Sequence, residues 1–316
     1  MIIVTGGLGF IGSNLVKKLN EMGYEDIIIV DNRMPQNKMQ NIIGLKFIEI
    51  INYKTFKNWW FLENYKNIIS IYHLGARTDT LETDKSIFNE LNFEFSKWLL
   101  INCNINDIPI VYASSAATYG NGSKGYDDNR SPRDLIPLNQ YGISKNRIDD
   151  FMLYESNNYT KYWYGLKFFN VYGPNEYHKG RMASVVWHAY NQLKNTGIIK
   201  LFQSDKIEYL DGQQLRDFIY VGDVVDVMIW LIKNKPKSGI YNLGTGKART
   251  FYDLAMAVIY SSSFVGRINY IPMPYDLKGK YQYFTEAKMD KLRSVGYTKE
   301  FTSLENGIDY YIKQLK

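Results

Sequence analysis

The first twelve residues, MIIVTGGLGFIG, constrain the fold of this chain more than any other stretch. Residues 2–5 form a short apolar run typical of a buried strand, and a helix pattern begins near Phe10. The glycines between them follow G-x-x-G-x-x-G spacing. A strand that passes through such a turn into a helix binds dinucleotide pyrophosphates, because the backbone can approach the phosphates and the helix N-terminus offers unpaired N–H groups. The sequence therefore predicts a dinucleotide site whose turn contains Gly6, Gly9 and Gly12.

The next apolar run supports this interpretation. It covers residues 27–31 and ends in Asp31-Asn32. An acidic residue about 20 positions after the glycines normally binds the hydroxyls of the adenosine ribose. Glycine-rich turns are common by themselves, but the strand, the helix and Asp31 at this distance together favour cofactor binding over a purely structural turn.

Strand and helix patterns alternate along the first half of the chain. The predicted strands cover 2–5, 27–31, 46–50, 69–73, 109–113 and 163–168. The predicted helices cover 11–22, 54–65, 84–104 and 139–156. Such alternation is typical of right-handed crossovers in an α/β fold with a Rossmann-type, doubly wound parallel sheet.

The pattern changes after about residue 170, where glycine and proline become more frequent between elements. Short strands are predicted at 199–202, 217–220, 239–243 and 268–271. Helices are predicted at 182–195, 222–234, 250–261, 285–294 and 302–314. We expect residues 1–170 to form the dinucleotide-binding domain and 171–316 a smaller mixed α/β substrate-binding region, interleaved with it across a soft boundary.

Composition narrows the class of protein. The single cysteine, Cys103, excludes an internal disulfide, and with only three histidines no metal site is expected. No apolar run reaches the roughly 18 residues of a membrane span, and the N-terminus does not resemble a signal peptide. The net charge of +6 is spread along the chain, which does not favour nucleic acid but suits a small anionic substrate such as a nucleotide sugar. We therefore expect a cytoplasmic enzyme without a membrane or nucleic-acid partner.

Two serines follow the predicted strand at 109–113. Because ligands of open α/β sheets bind outside the carboxyl ends of the strands, Ser114 and Ser115 are expected at the edge of the active site. Small polar residues also end strands without any function. The serines alone therefore indicate a position, not a reaction.

A tyrosine and a lysine four residues apart open the next predicted helix. Tyr141 and Lys145 lie on one helix face, and a nearby ammonium stabilises a phenolate, so the tyrosine could act as a general acid or base. The same spacing occurs at Tyr53/Lys57 and Tyr190/Lys194, because the chain contains 27 tyrosines and many lysines. Only Tyr141 and Lys145 follow a strand that ends in Ser115, which favours them as the catalytic pair.

The segments TGGLGFIG, YASSAATYG and YGISK, in this order, resemble the extended short-chain dehydrogenase/reductase family, the NAD-dependent epimerases and dehydratases. Members bind NAD(P) and remodel nucleotide sugars. The resemblance implies that Ser115, Tyr141 and Lys145 are catalytic. Tyr141 would move the proton of a sugar hydroxyl, Ser115 would hydrogen-bond the reacting oxygen, and Lys145 would hold the ribose and tune Tyr141.

Further segments resemble the heptose 6-epimerases within that family: FNVYGPNEYHKGRMASV (169–185), LFQSD (201–205), LRDFIYVGDV (215–224), GIYNLGTGKARTF (239–251) and LKGKYQYFT (277–285). This resemblance implies an ADP-heptose substrate and a transient ketone at C6, with hydride returned to the opposite face after the sugar reorients. It also implies that Lys179 is a second acid/base residue, facing Tyr141 across the substrate. Without the resemblance, Lys179 would be an ordinary loop lysine.

The resemblance also assigns binding residues. The implied cofactor contacts are Gly6, Gly9, Phe10, Ile11, Gly12, Asp31, Asn32, Arg33, Lys38, Leu74, Gly75, Ala76, Asn92, Lys145, Val171 and Lys179. The implied substrate contacts are Ser115, Asn170, Arg181, His188, Phe202, Gln203, Ser204, Asp205, Arg216 and Tyr281. Asp31 alone favours NAD, whereas Lys38, assisted by Arg33, would face the 2′-phosphate of NADP, so we expect NADP with NAD as the alternative. Arg216 would grip the diphosphate.

Other functions remain open from sequence. A UDP-hexose 4-epimerase or a dehydratase has the same fold, although Ala116 and Ala117 stand where a dehydratase normally has acidic residues. A non-catalytic cofactor-binding protein is a third possibility. The segment 206–214, Arg77 and Arg181 depart from the family pattern beside the expected substrate. The resemblance further implies a homo-oligomer, and whether the product enters lipopolysaccharide core or another heptose-bearing glycan is left open.

Overall fold

The computed structural model describes residues 1–32, 36–62, 64–155, 162–275 and 281–315. Its strands are β1 (Ile2–Thr5), β2 (Ile27–Asp31), β3 (Glu49–Asn52), β4 (Ser70–His73), β5 (Ile110–Ser115), β6 (Trp163–Phe168), β7 (Asn170–Tyr172), β8 (Ile198–Phe202), β9 (Leu215–Arg216), β10 (Phe218–Tyr220), β11 (Gly239–Leu243), β12 (Arg249–Thr250) and β13 (Arg267–Ile271). Its α-helices are α1 (Phe10–Glu21), α2 (Tyr53–Phe61), α3 (Lys85–Phe88), α4 (Phe95–Ile105), α5 (Gln140–Asp150), α6 (Val185–Thr196), α7 (Val221–Asn234), α8 (Phe251–Ser261), α9 (Asp290–Ser294) and α10 (Leu304–Lys313).

Within the described ranges, the main sheet has seven strands in the order β11-β6-β5-β4-β1-β2-β3, and each neighbouring pair is parallel. The strand order runs outward from β1 in both directions, so the predicted doubly wound, Rossmann-type α/β fold is confirmed. The direction changes between β1 and β4, where Thr5 and His73 are register partners. Ligands of such sheets bind at this point, outside the carboxyl ends of the strands.

Helices cover both faces of the sheet, which is why its central strands are apolar without alternation. One face packs against α1 and α7, through residues such as Leu15, Val16 and Met228. The other packs against α2, α4 and α5, through residues such as Phe56 and Leu99. A further cluster joins α6, α8 and α10 beside the sheet. The chain after residue 170 also returns to the sheet, because β11 forms its edge.

Two predicted elements were misplaced. β3 lies at 49–52 rather than 46–50, because the strand continues until the Asn52 side chain accepts the Lys54 N–H and caps α2. The helix predicted at 285–294 begins only at Asp290. The preceding backbone is not helical, because its N–H groups bond to other segments: Thr285 to the Leu215 carbonyl and Ala287 to the Asp217 carboxylate.

The helix predicted at 84–104 is present, but its hydrogen-bond pattern changes along its length. A π-helical segment at Asn89–Glu94 separates α3 from α4. Such π-segments occur frequently at functional sites. Among the described residues, none of the helices is both long enough and apolar enough to cross a membrane.

Candidate active site

The glycine turn lies directly against the loop that follows β4. Gly6 has a φ of +70°, and a Cβ there would lie 2.7 Å from the backbone nitrogen of Gly75. A Cβ on Gly12 would lie 2.2 Å from the Gly6 carbonyl oxygen. Gly9 precedes α1 without a side-chain cap, and the first turn of α1 has no acidic residue. The cradle therefore fits a dinucleotide, because its backbone is accessible and the positive end of the α1 dipole is not neutralised.

The end of β2 presents a carboxylate and an ammonium together. Asp31 is buried, and its Oδ2 accepts the N–H of Leu8 in the glycine turn at 3.1 Å. Its Oδ1 lies 3.5 Å from Lys38 Nζ and accepts the Asn32 backbone N–H at 2.7 Å. Asp31 and Lys38, both predicted to bind the cofactor, are thus adjacent. Arg33, the third predicted polar contact here, lies outside the described residues.

A buried histidine that sequence reasoning did not select holds the loop after β4. His73 Nδ1 lies 2.6 Å from Thr5 Oγ1, and His73 Nε2 lies 2.7 Å from Ser96 Oγ. Thr5 Oγ1 also accepts the Gly75 N–H at 3.0 Å, which fixes the predicted cofactor loop at Leu74, Gly75 and Ala76. Burial, reinforced by the Lys145 charge, lowers the pKa of His73 to about 3, so the ring is neutral. The sequence feature that could have identified His73 is its position at the end of the buried strand β4.

The fold brings Ser115, Tyr141 and Lys145 together, as the sequence predicted. Ser115 ends β5, and its hydroxyl is hydrogen-bonded to the Tyr141 hydroxyl. Asn139 caps α5 by accepting the Gly142 N–H at 2.8 Å, so Tyr141 lies in the first turn of the helix. Lys145, one turn later, is buried, with its Nζ 6.0 Å from the centre of the Tyr141 ring. A proton-transfer group, a hydrogen-bonding hydroxyl and a cation therefore share one site.

The expected lowering of the Tyr141 pKa is wrong in this structure. Burial raises the pKa of Tyr141, and the hydrogen bond with Ser115 only partly opposes that effect. Burial also lowers the pKa of Lys145 to about 8, although the Asp149 carboxylate acts in the opposite direction. Because both charged forms lose hydration, desolvation outweighs the attraction that the four-residue spacing suggested.

Ser114 has a different role from its neighbour. Its hydroxyl donates to Asp149 Oδ2 at 2.7 Å, and Asp149 also pairs with Lys167 at 2.6 Å. Lys167 and Asp149 are fully buried, and Lys167 Nζ bonds to Thr118 Oγ1 as well. The ion pair fixes the end of β5 behind Ser115. Sequence reasoning missed it, although a lysine inside the apolar strand YGLKFF was a usable signal.

Lys179 lies on the 3₁₀ turn Tyr177–Met182, which packs against the glycine loop. Its Nζ lies 5.3 Å from the centre of the Phe10 ring, so this predicted acid/base residue borders the cofactor cradle. Burial lowers the pKa of Lys179, and the nearby Glu176 carboxylate opposes that shift. At the far end of the turn, Arg181 pairs with Asp79 at 3.1 Å. The turn is therefore attached to the loop that follows β4.

Asn92, predicted to contact the cofactor, forms hydrogen bonds with the loop after β4 and with α5. It is fully buried, its Oδ1 accepts the Arg77 N–H at 2.8 Å, and its Nδ2 donates to the Arg77 carbonyl at 2.9 Å. The same amide donates to Ser144 Oγ at 2.9 Å, and the Ser144 hydroxyl donates to the Tyr141 carbonyl at 2.7 Å. Asn92 thus connects the loop after β4 to the helix of Tyr141 from inside the protein.

Three predicted substrate residues form an aromatic and cationic cluster. The buried Arg216 guanidinium lies 5.0 Å from the centre of the Tyr281 ring. The Tyr281 ring centre lies 6.1 Å from that of Phe202, edge to face. Burial lowers the pKa of Arg216, while Tyr281 opposes the shift. A buried guanidinium between aromatic rings suits a diphosphate attached to a flat base.

The segment 206–214 borders this cluster through Tyr209, whose ring centre lies 5.0 Å from that of Tyr283. Tyr283 in turn holds Asp205: the Asp205 N–H donates to the Tyr283 hydroxyl at 2.9 Å, and the hydroxyl donates to the Asp205 carboxylate. Ser204 is fixed through its N–H, which donates to Asp211 at 2.8 Å. The segment 206–214, which departs from the family pattern, therefore lies beside the residues predicted to bind the nucleotide end of the substrate.

The remaining predicted contacts lie on the elements between these groups. The Asn170 amide donates to the Asp217 carbonyl at 3.1 Å, and Val171 follows it in β7. His188 Nε2 lies 3.4 Å from the Arg181 carbonyl. Gln203 is fixed by its N–H, which donates to the Ile271 carbonyl at 2.8 Å. These positions extend from the turn of Lys179 towards Arg216.

The comparisons with known proteins show the family of this chain. The model of the NAD dependent epimerase/dehydratase family matches residues 2–244. A Fusobacterium nucleatum protein named ADP-L-glycero-D-manno-heptose-6-epimerase is 51% identical, covering 99% of this chain and 97% of that protein. A protein of the same name from Nitratidesulfovibrio vulgaris is 46% identical, covering 99% and 97%. The crystal structure of the Helicobacter pylori ADP-L-glycero-D-manno-heptose-6-epimerase has a TM-score of 0.83 and 28% identity, covering 99% and 95%.

Proposed function

The chain belongs to the NAD dependent epimerase/dehydratase family, and we propose that it epimerises C6 of ADP-D-glycero-D-manno-heptose to give the L-glycero isomer. One observation carries the reaction type: two groups capable of proton transfer lie on different elements around one dinucleotide cradle. Tyr141 pairs with Ser115 at the end of β5, and Lys179 lies over Phe10 at the start of α1. The near full-length identity to named heptose epimerases supports the substrate.

The chemistry needs a group that can accept and return hydride. A bound nicotinamide would supply this capacity, so that the C6 hydroxyl could pass through a ketone and be restored. Residues of the glycine turn would hold the pyrophosphate, and Asp31 and Lys38 would hold the adenosine ribose. The loop Leu74 to Ala76, fixed by Thr5, would lie against the cofactor.

Tyr141 and Lys179 divide the proton transfers. Inversion requires that the substrate present C6 in two orientations, so the hydroxyl proton leaves on one side and returns on the other. We propose that Tyr141 serves one orientation and Lys179 the other, each as a general base or acid. Ser115 would donate a hydrogen bond to the reacting oxygen, and Lys145 would hold the cofactor ribose. Burial lowers the pKa of Lys179, which makes its ammonium a better proton donor than that of an exposed lysine.

The cofactor is a nicotinamide dinucleotide, and we propose NADP as the preferred form. Lys38 supports this preference, because its ammonium stands beside Asp31, where a ribose 2′-phosphate would lie. An aspartate alone at this position would repel that phosphate. Lys38 neutralises part of the Asp31 charge and offers the phosphate a cationic partner.

The nucleotide end of the substrate is assigned to the region 171–316. Arg216 would bind the diphosphate, because a guanidinium offers several fixed donors. Phe202 and Tyr281 would pack against the base or its ribose. Asn170, Arg181 and His188 would contact the sugar end, near Lys179.

The decisive experiment is incubation of the purified protein with ADP-D-glycero-D-manno-heptose, without added cofactor, followed by chromatographic separation of the epimers. The L-glycero product would establish the reaction and the presence of tightly bound, internally recycled cofactor. UDP-glucose and UDP-galactose in parallel incubations test the 4-epimerase and dehydratase alternatives. No heptose conversion with NADP⁺ supplied, but conversion of a UDP-hexose, would overturn the proposal.

We also propose that the protein acts as a homo-oligomer in the cytoplasm. Light scattering coupled to size-exclusion chromatography checks the assembly. A molar mass equal to that of a single chain over the micromolar range would contradict it.

A further inference from the structure

The turn that carries Lys179 is closed by a carboxylate that no sequence motif had selected. Glu176 directly precedes the 3₁₀ turn Tyr177–Met182 and is fully buried. A carboxylate removed from water in this way must be satisfied by several donors or by a nearby cation. Glu176 has hydrogen-bond donors on both sides of the turn and the Lys179 ammonium within it.

The donors come from before and after the turn. The Ser184 hydroxyl donates to Glu176 Oε1 at 2.7 Å, and the Ser184 backbone N–H donates to Oε2. On the other side, the Gly173 N–H donates to Oε1 at 3.4 Å. The carboxylate thereby joins residue 173 to residue 184, and the segment between them forms a closed loop. Ser184 also caps α6, accepting the Trp187 N–H at 3.3 Å, so the loop is anchored to a regular helix.

The same residue is tied to Lys179 by its backbone and by its charge. The Lys179 N–H donates to the Glu176 carbonyl at 3.0 Å, which sets the first turn after Glu176. The Glu176 carboxylate also acts on the Lys179 ammonium: it opposes the fall in the lysine pKa that burial causes. Lys179 reciprocally opposes the burial-driven rise in the pKa of Glu176.

Three further titratable side chains around this pair, Tyr177, His178 and Tyr311, are neutral near pH 7. Tyr177, beside Glu176 in sequence, and Tyr311, from α10, both interact with Glu176, and burial raises the pKa of each. His178 faces Lys179 and Lys38, and burial lowers its pKa to about 4. Glu176 is the acidic group beside Lys179 whose carboxylate acts on the lysine ammonium.

We propose that Glu176 is the positioning residue for Lys179: its buried carboxylate closes the lysine-bearing turn over the cofactor cradle and supplies the negative charge that faces the ammonium. This inference rests on the proposed acid/base role of Lys179. It assigns to Glu176 no contact with substrate or cofactor. Its effect on turnover is exerted through the place and the charge of Lys179.

The test compares Glu176→Gln, which removes the charge but keeps the size, with Glu176→Asp, which keeps the charge. In Glu176→Gln, kcat for the heptose substrate should fall by about 10- to 100-fold with KM changed much less, because a misplaced acid/base group acts on the reacting step. The limb of the pH–rate profile whose midpoint matches the NMR titration of Lys179 should move to lower pH. Glu176→Asp should keep that limb near its original pH.

A second measurement does not depend on activity. Reductive methylation with ¹³C-formaldehyde gives each lysine an NMR signal, and the Lys179 signal is assigned by its absence in Lys179→Arg. Its titration midpoint should be lower in Glu176→Gln than in the unsubstituted protein. Asp223→Asn is the matched control, because Asp223 is another buried carboxylate. It accepts the Thr302 N–H at 2.8 Å and the Thr302 hydroxyl at 3.0 Å, and it does not belong to the turn of Lys179.

The outcomes separate the two levels of the hypothesis. If Lys179→Met retains turnover, the proposed role of Lys179 fails. If Lys179→Met abolishes turnover while Glu176→Gln behaves like Asp223→Asn, with unchanged pH limb and Lys179 titration, the role of Glu176 is overturned. If Glu176→Gln does not fold, Glu176→Asp decides: because it keeps the charge, a Lys179 midpoint clearly lower than in the unsubstituted protein contradicts the proposal.

Discussion

Lys38 Nζ lies 3.5 Å from one oxygen of Asp31, whose other oxygen accepts a backbone N–H from the glycine turn. The carboxylate thus connects the glycine turn to the 3₁₀ segment Gln36–Ile42, which carries Lys38. An ion pair of this kind, partly exposed on the lysine side, contributes little to stability by itself. Its interest is chemical: if NADP is the cofactor, as proposed, Lys38 would be the cation that meets the ribose 2′-phosphate beside Asp31.

Lys38→Ala should therefore discriminate between the two nicotinamide cofactors. We expect the affinity for NADP to fall by tenfold or more, about 1.4 kcal/mol, while the affinity for NAD changes much less. Isothermal titration calorimetry of cofactor-free protein measures both. Lys46→Ala is the control, because Lys46 pairs with Glu25 on the surface. Equal losses for NADP and NAD would refute a role at the 2′-phosphate.

Tyr141→Phe should remove most turnover without loss of cofactor. The variant keeps the ring but lacks the hydroxyl that bonds to Ser115, so kcat should fall by roughly 10²- to 10⁴-fold. Chromatographic rates and the nicotinamide content of the purified protein check the two halves of this prediction. Tyr53→Phe tests the identical Tyr-x-x-x-Lys spacing at α2 and should have no effect on rate. A Tyr141→Phe variant with more than a tenth of the original kcat would contradict the assignment.

His73 should make the protein less stable in mild acid. Its pKa is about 3 in the folded protein and near 6.5 in an unfolded chain, so the unfolded state binds more protons between these values. The stability that the neutral ring contributes is complete above pH 6.5 and is lost as the pH falls towards 3.

The measurement is urea unfolding between pH 4.5 and 6.5. In His73→Gln the slope of the unfolding free energy against pH should be smaller by up to about 1.4 kcal/mol per pH unit, the value for one proton. An unchanged slope in His73→Gln would mean that the buried ring does not supply this pH dependence.

Gly6→Ala should damage the cradle beyond the effect of backbone strain. Gly6 and Gly23 both have positive φ, +70° and +88°, so alanine at either position costs roughly 1–2 kcal/mol. Only at Gly6 would the new Cβ meet backbone atoms of Gly75, whereas a Cβ on Gly23 has no atom within 4 Å. Thermal unfolding and cofactor titration should show a larger loss of stability, and a loss of binding, for Gly6→Ala alone. Equal effects in both variants would contradict the close approach.

The sequence by itself determined the local order of the chain and the fold class. Strand, glycine turn and helix are neighbours along the chain, so the pattern of residues 2–21 specified that unit. The alternation of apolar runs then specified a doubly wound sheet. The heptose-epimerase family was recognised for the same reason, because its motifs are continuous segments. Errors occurred where the backbone bonds to distant segments, as at Thr285 and Ala287, since no local pattern records such partners.

Only the tertiary structure decided which distant side chains meet and what their burial does. It placed the Asn92 amide between Arg77 and Ser144 rather than in an open site. It also reversed the expected pKa direction of Tyr141, because desolvation depends on everything packed around the hydroxyl and not on the spacing to Lys145. The role proposed for the Glu176 carboxylate likewise depends on the tertiary structure, because its donors lie on both sides of a folded turn. Hydrogen bonding and dehydration are properties of the three-dimensional neighbourhood, which local sequence patterns do not encode.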